Sequence, residues 1–483
     1  MPVIACDLAP LVPFAPNADS PWDQSAALHL FRRLGYGLAP IDVPGVLSQD
    51  PVNLTVSGLR AAAALPNLAR PSWYNFTISD YNDQQELVDQ LFEWNSTWVN
   101  DMRDNPLRAK MGLFWSNHFV TQREVYNCPS WMWEYHDILQ TYAFGDFREF
   151  VRAIGKTPAM LVYLNGVQNT RFEPNENFAR ELFELFTLGE NNNYTQDDIV
   201  AAARALTGWN GFSEACAPIN FLPATHDAGM KTIFGQTAAF DYDSLIDLIF
   251  TERAVECSTH ICRKLYAHFV SPEVDEDIVT QLASSFRQNN WNLLSVYEQL
   301  FSSAHFFSPP LRGVRVKDPL EFALELERTL GTTSLRNEQG TIAVWFQAAN
   351  LGQGIFDPPD VAGWPGDRAW LNANLLAVRR ETSQQVIFLT YQENRPLFSA
   401  WAKTLNIGDE SDIEEVTRAI VDYVFPEGLD RVEDYQRAID VCKSEVPSYY
   451  FEQGLWSLDF EYAPDQVAIL LDYLTRRPEF QLC

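Results

Sequence analysis

Residues 174–209, PNENFARELFELFTLGENNNYTQDDIVAAARALTGW, decide how this chain folds. Their apolar side chains recur at the spacing of a helix that buries one face, at Phe178, Leu182, Leu185 and Phe186. Asn175 or Asn177 suits the N-cap position, and Gly189 suits the residue that ends a helix. The pattern therefore predicts a helix with a buried apolar stripe.

The opposite face of this predicted helix is charged. Glu176, Arg180 and Glu184 follow at intervals of four residues, so both glutamates can pair with the arginine. Glu181 lies about a third of a turn away from that row and has no evident partner on its own helix. Among the acidic residues of the stretch, Glu181 is therefore the strongest candidate for chemistry.

Composition limits the class of protein. The 483 residues are 46% hydrophobic and 20% charged, which allows a large core and excludes global disorder. The net charge of −29 excludes nucleic acid as a partner, because phosphate binding requires clustered Lys and Arg. Aromatic residues make up 13%, as expected for a buried core and also for a small-molecule or glycan pocket. The oligomeric state stays open.

The N-terminus and the cysteines bear on the compartment. No run approaches the roughly 20 apolar residues that cross a bilayer, and the first residues lack the features of a signal peptide. The sequence as written predicts a cytoplasmic protein. The tetrapeptide VIAC at 3–6 resembles a lipoprotein cleavage site, so export or a lipid anchor at Cys6 is the alternative if upstream residues were removed.

The seven cysteines are odd in number and widely spaced, and they fit buried free thiols at least as well as disulfides. The closest set, Cys257, His260 and Cys262, lacks the second pair that a structural zinc site needs.

Helical periodicity with short connections predicts a mainly α fold: one large helical body with a short β-hairpin insertion and long loops. It predicts helices at Ala254–Phe269 and Pro319–Leu330, and Thr195 with Asp198 and Ser411 with Glu414 resemble capping boxes at the starts of two others. We expect an extended arm over residues 1–24, a helical core body over 25–395 and an acidic helical cap over 396–483. Segments 220–225 and 231–234 predict a hairpin that carries His226 and Asp227 at its turn. Residues 357–370, DPPDVAGWPGDRAW, predict a rigid loop that presents Trp364.

A helix predicted over residues 107–121 brings polar groups into an aromatic environment. Met111, Trp115 and His118 share one face, and Asn117 adjoins His118. Buried polar groups need partners, so Asn117 and His118 form either a structural network or the wall of a site.

Several blocks resemble the bacterial "domain of unknown function 1800" family. They occur in the family's order between about Leu28 and Arg380: PLRAKMGLFWSNHF, TPAMLVYLNG, PNENFARELFELFTLG, ARALTGW, HDAGMKTIFG and PPDVAGWPG. Ser116 departs from the family, which often has a second histidine there, and this weakens a paired-histidine metal site. The resemblance implies a mostly helical single body and, in many members, export. It implies no established reaction.

The first hypothesis for function is acid/base hydrolysis of a polar, carbohydrate-like substrate. This chemistry needs one protonated and one ionised carboxyl group. Glu181 and Asp227 are the predicted catalytic residues, with Asp360 a further carboxylate on a loop. The predicted substrate-binding residues are the polar and aromatic side chains of the same blocks: Asn117, Asn175, Asn177, Arg180, Lys231 and Trp364.

Two alternatives remain. His118 and His226, with Asp227 and a glutamate of the central helix, would make a mixed His/carboxylate site for a divalent metal. The other alternative is a non-catalytic binding or scaffold protein, in which the same polar residues form a buried hydrogen-bond network. No nucleotide-binding glycine motif is present in the sequence, so a nucleotide cofactor is not expected.

Overall fold

A computed structural model of the protein describes residues 8–211, 215–429 and 431–483. The chain is mainly α, with 60% of its residues helical, as predicted. The first nine helices are α1 Gln24–Leu34, α2 Val43–Leu47, α3 Pro51–Ala63, α4 Gln84–Asp104, α5 Pro106–His118, α6 Arg123–Tyr126, α7 Pro129–Tyr142, α8 Phe147–Ile154 and α9 Pro158–Tyr163.

The central and C-terminal helices complete the chain. They are α10 Asn177–Glu181, α11 Gln196–Ala205, α12 Tyr242–Glu252, α13 Ala254–Phe269, α14 Glu276–Gln288, α15 Leu293–Phe301, α16 Pro319–Leu330, α17 Glu338–Asn350, α18 Ala373–Asn394, α19 Leu397–Ala402, α20 Ile413–Val424, α21 Val432–Lys443, α22 Tyr449–Glu452 and α23 Ala463–Thr475. A π-helical segment, Leu182–Thr187, continues α10 directly.

Short polar side chains set where many of these helices begin. The Thr195 hydroxyl accepts a hydrogen bond from the Asp198 amide, and the Asp198 carboxylate returns one, which is the predicted capping box of α11. Asp318 and Glu321 form the same arrangement at α16. At α20 the cap is Asp412, one residue beyond the predicted Ser411, because the Asp412 carboxylate reaches the Glu414 amide.

The β structure is confined to two antiparallel hairpins, and their pairing differs from the predicted one. Strand β1, Trp209–Asn210, pairs with β2, Asn220–Phe221, while β3, Lys231–Ile233, pairs with β4, Gln236–Ala238. The prediction that 220–225 pairs with 231–234 was wrong. A tight turn at Phe234-Gly235, both at positive φ, lets β3 pair with the next strand along the chain instead.

Helix α5 runs through the aromatic core. Trp115 is fully buried, and its Nε1 donates a hydrogen bond of 2.8 Å to the Tyr297 hydroxyl on α15. Its ring packs against Phe119 and against Phe147 and Phe150 of α8. The buried stripe predicted for this helix is therefore part of the main core.

Helix α16 carries three glutamates into the interior. Glu321 pairs with Lys110 and Arg315, Glu325 with Arg32 and Lys317, and Glu327 with Arg103. Each glutamate thus has one partner from a distant part of the chain: Lys110, Arg32 or Arg103. These side chains are 8% exposed or less. A buried ion pair holds elements in register only when both charges are present, since a lone buried charge costs several kcal/mol.

Cys128 and Cys216 form a disulfide that joins the start of α7 to the loop before β2. The two cysteines are 88 residues apart in sequence. In the loop-entropy model, a cross-link over this separation stabilises the folded state by roughly 4–5 kcal/mol. The expected free thiols are found at the other described cysteines: Cys257, Cys262, Cys442 and Cys483, all buried. Cys6 lies outside the described residues. Within the described ranges, no helix has the length and apolarity to span a bilayer.

Candidate functional site

The central segment, residues 174–188, departs from the predicted regular helix. After α10 the backbone widens into the π-helical turn, with Leu188 N donating to Phe183 O at 2.9 Å. The Leu185 and Phe186 carbonyls, which lie near its end, accept hydrogen bonds from His260 Nε2 (3.0 Å) and His118 Nε2 (3.1 Å). Such turns interrupt α-helices mostly at functional sites, so this segment is a place to look for chemistry.

The charged row on the segment forms as predicted. Arg180 donates to Glu176 at 3.1 Å and to Glu184 at 3.2 Å. Gln196 on α11 joins the row by hydrogen bonds to both Arg180 and Glu176. Arg180 therefore acts as a structural partner of the two glutamates.

Glu181 stands apart from that row. It forms no hydrogen bond or ion pair with the residues that the structure describes. Burial, followed by the charge of Glu184, raises the pKa of its carboxyl from 4.5 to about 7. Burial and the nearby charges of Asp360 and Glu181 raise the pKa of Tyr163 to about 12. Asp360 and Asp357, both on the loop 357–370, thus share the neighbour Tyr163 with Glu181.

The asparagines before α10 hold the loop that leads into it. Asn175 Oδ1 accepts the Asn177 amide at 2.9 Å, and Asn175 N donates to Asn169 Oδ1 at 2.9 Å. Asn177 Nδ2 donates to Asn165 Oδ1 at 3.2 Å. The helix itself begins with Glu176 at the N-cap position and no side-chain cap. Asn175 and Asn177 thus form an amide network that shapes the chain locally.

His226, Asp227 and Lys231 form a second local cluster. Asp227 pairs with Arg204 at 2.7 Å, and this hydrogen bond lowers the pKa of its carboxyl. His226 Nδ1 lies 3.0 Å from the Thr207 carbonyl oxygen, and Lys231 donates to the Gly229 carbonyl at 3.0 Å. Asp227 is thus bound by Arg204 and by the Gly229 amide, and no hydrogen bond joins it to Glu181 among the described residues.

His118 lies in the aromatic core. It is 2% exposed, and burial lowers its pKa well below the usual value, so the ring is neutral. Its neighbours are Trp115, Phe119, Phe186 and His260. None of them contacts His226, whose ring faces Phe221 and Thr207.

The described residues contain no group of three or more His, Cys, Asp or Glu side chains arranged to hold a metal ion. The ligand set proposed for a divalent metal is not assembled there, because its two histidines belong to separate clusters.

The loop 357–370 is fastened to the end of α5 by the predicted residues Asn117 and Trp364. Asn117 Oδ1 accepts a hydrogen bond of 2.6 Å from the Trp364 amide. A Cβ at Gly363 would lie 2.2 Å from that oxygen, and Gly363 has a φ of +89°. Only glycine allows this close approach without strain.

A cavity of about 350 Å³ lies beneath this junction. Helices α5 and α13, the segment before α16 and the loop 357–370 line it, and its wall includes Phe114, Asn117, Lys264, Arg315, Trp364 and Trp370. Its size is in the range of small-molecule sites, which combine apolar walls with a few convergent polar groups.

Lys264 is the functional candidate that sequence reasoning missed. It is partly buried and forms no ion pair or hydrogen bond with any described residue, and burial lowers its pKa to about 8. His260, Lys264 and His268 follow at intervals of four on α13, so they share the face that meets α5 and the π-helical segment. This spacing could have identified Lys264 from the sequence, although the cysteines of the same helix are more conspicuous.

Comparison with known proteins places the whole arrangement in one family. The family model described as "Protein of unknown function (DUF1800)" matches residues 29–482. The chain belongs to the DUF1800 family. No curated protein and no solved structure matches it.

The match confirms the resemblance drawn from the sequence blocks and extends it past Arg380. The segment 396–483, which those blocks did not reach, is almost wholly included in the DUF1800 match. The family's description names no reaction. The function of this DUF1800 protein must therefore be argued from its geometry.

Proposed function

We propose that this DUF1800 protein binds a small molecule in the cavity between α5, α13 and the loop 357–370. One observation carries the proposal: a 350 Å³ cavity lies where Asn117 holds Trp364 over α5. A loop fixed in this way is preorganised, which lowers the entropy that a ligand would otherwise lose in ordering it.

The composition of the walls supports the same proposal. Trp364 and Trp370 are 6% and 4% exposed, and Phe114 completes an aromatic surface. Aromatic walls with a few polar groups suit a ligand that has a flat apolar part and at least one polar group. The scaffold alternative accounts for the Asn175 network and the Asp227 cluster, while the cavity adds a binding role.

Filling the cavity tests the proposal. Ala267 lies on α13 in the cavity wall, whereas Ala377 on α18 is exposed. Ligand-observed NMR with a mixture of aromatic acids, amides and sugars identifies the fragments that bind the wild type. We expect Ala267→Phe to raise the Kd of these fragments 10-fold or more. Ala377→Phe should leave their Kd unchanged. Equal binding to both variants would contradict the proposal.

Acid/base hydrolysis is a second candidate function, supported by Glu181. Its carboxyl has a pKa of about 7 and no partner among the described residues, as a proton donor requires. Asp360 replaces Asp227 as its companion in this candidate, because Arg204 already binds Asp227. Glu181 would protonate the leaving oxygen while Asp360 activates a water molecule.

The hydrolase candidate has its own test. If the wild type cleaves any member of a panel of p-nitrophenyl glycosides, Glu181→Gln should lower kcat by about 100-fold, the usual contribution of a general acid. At neutral pH the melting temperature should be equal to or above that of the wild type, because the variant has no half-buried carboxyl group to ionise. Glu176→Gln, on the neighbouring row, should retain full activity. A wild type that cleaves none of the panel removes the carbohydrate substrate from the proposal.

The disulfide supports an exported protein as the location. Stable disulfides form in oxidising compartments and are rare in the cytosol. Under denaturing conditions, protein isolated from its natural source should take up two more alkyl groups after reduction than before it. Equal uptake would favour the cytoplasmic alternative.

A further inference from the structure

We infer that the ligand of this cavity is an organic carboxylate bound by the ammonium group of Lys264. The inference rests on the proposed binding function and adds the chemical class of the ligand. It is carried by Lys264, a cation of the cavity wall without a carboxylate partner among the described residues, and by the acceptors of the wall, which are largely in use.

Lys264 adds an unpaired charge. Its ammonium group has no carboxylate partner in the described part of the chain, and burial is the cause of its lowered pKa of about 8. The group is still mainly charged at neutral pH. An anion in the cavity would offset the cost of burying this charge, which a neutral ligand would not do.

The acceptors in the same wall are bound by backbone amides. Asn117 Oδ1 accepts from Trp364 N at 2.6 Å, Gln353 Oε1 from Leu320 N at 2.9 Å, and Asp367 Oδ1 from Val316 N at 3.1 Å. Asp318 Oδ1 accepts from Glu321 N at 2.8 Å. These oxygens of the wall are therefore occupied, and the ligand should be rich in hydrogen-bond acceptors.

The carboxylate of Asp318 does not cancel this preference. It lies beside Arg315, which also pairs with Glu321, and the charges of Cys483, Glu321 and Asp318 raise the pKa of Arg315. Lys264 is left as the cation without a partner. The aromatic surface of Trp364, Trp370 and Phe114 then suits the apolar body of an organic acid better than a bare inorganic ion.

Benzoate, benzamide and inorganic phosphate are the probes that test this inference on the full chain. Isothermal titration calorimetry at pH 7 should give a Kd for benzoate at least 10-fold lower than for benzamide, which has the same shape without the charge. Phosphate should bind more weakly than benzoate.

The matched variants are Lys264→Met and Arg263→Met, because Arg263 is exposed on the same helix and pairs with Glu276. Lys264→Met should raise the benzoate Kd at least 10-fold and leave the benzamide Kd unchanged, while Arg263→Met should change neither. Lys264→Arg should retain most of the benzoate affinity. A urea midpoint equal to or above that of the wild type shows that Lys264→Met has folded.

The outcomes separate the two proposals. If benzamide binds as tightly as benzoate, and Ala267→Phe abolishes both, the cavity binds ligands but the carboxylate inference is wrong. If Lys264→Met leaves benzoate binding unchanged, the inference is also wrong. Tighter binding of phosphate than of benzoate would replace the organic acid by an inorganic anion. Probe binding that Ala267→Phe does not alter would overturn the cavity function itself.

Discussion

The central segment and α16 both carry three glutamates, and they differ in what surrounds the carboxylates. On the central segment, Arg180 and Glu176 are 36% and 39% exposed, and their partners lie within one turn along the chain. On α16, Glu321 and Glu325 are 3% and 4% exposed, and each pairs with one cation from a distant part of the chain, Lys110 and Arg32 respectively. A glutamate pattern on a helix therefore does not reveal whether its face is buried.

The difference also separates structural roles from chemical ones. Every carboxylate of α16 is neutralised by a cation, and so are Glu176 and Glu184 of the central segment. Glu181 is the member of the two sets that has no partner among the described residues. Charge density on a helix is thus a poor guide to reactivity, and the absence of a partner is a better one.

Removing a buried carboxylate from α16 should give the largest effect. Glu321→Leu removes the ion-pair partner of the buried Lys110 and Arg315, so we expect a loss of about 3–5 kcal/mol in the free energy of unfolding. Glu184→Gln on the central segment should cost only about 0.3–0.5 kcal/mol, as for other exposed pairs four residues apart. Urea denaturation of both variants measures the two losses in the free energy of unfolding. Similar losses would remove the contrast between the two regions.

Double-mutant cycles should sharpen the contrast. Arg315 uses its side-chain nitrogens on Glu321 alone within the described residues, so Arg315→Met with Glu321→Leu isolates one buried pair. We expect a coupling free energy of about 1–3 kcal/mol for this pair. The cycle of Arg180→Met with Glu184→Gln should give less than about 0.5 kcal/mol. A surface coupling as large as the buried one would be inconsistent with the exposure of Arg180.

The smallest effect expected is the pH dependence due to Glu181. Its pKa in the folded chain is about 7, above the ordinary 4.5, so the folded state binds more protons between these values. The free energy of unfolding should therefore fall as the pH rises from about 4.5 to 7 and change no further above it. Glu184 and Glu190 raise this pKa, and Arg180 lowers it.

Urea midpoints at pH 5 and pH 7.5 measure this dependence. Glu181→Gln should show a smaller fall than the wild type, and Glu176→Gln should match the wild type. Identical falls in all three proteins would mean that Glu181 titrates normally.

Local signals made most of the fold predictable. The Thr195 capping box and the bounds of α13 and α16 follow from residues close together in sequence, and the structure has them where they were predicted. The strand pairing was predicted wrongly, because short strands carry too few residues to distinguish one partner from another. The partners of Glu321 were not predictable, since Lys110 lies far from it along the chain.

The candidate site was only partly predictable, for a related reason. Asn117 and Trp364 were proposed separately, from their local environments, and the structure joins them by one hydrogen bond. Asn175, Asn177 and Asp227 have the residue types of a site, but nearby groups already bind their polar atoms. Lys264 has no hydrogen-bond or ion-pair partner among the described residues, and the lack of a partner is visible only in three dimensions.

The π-helical turn has a consequence for how this gene can change. It accommodates one residue more than an α-helix would need over the same length. Loss of a single codon within residues 182–187 would restore ordinary helical winding, which would close this wide turn and redirect its carbonyl groups. The Leu185 and Phe186 carbonyls would then no longer both face His260 and His118. At this place the chain should tolerate many substitutions more readily than a deletion of one residue.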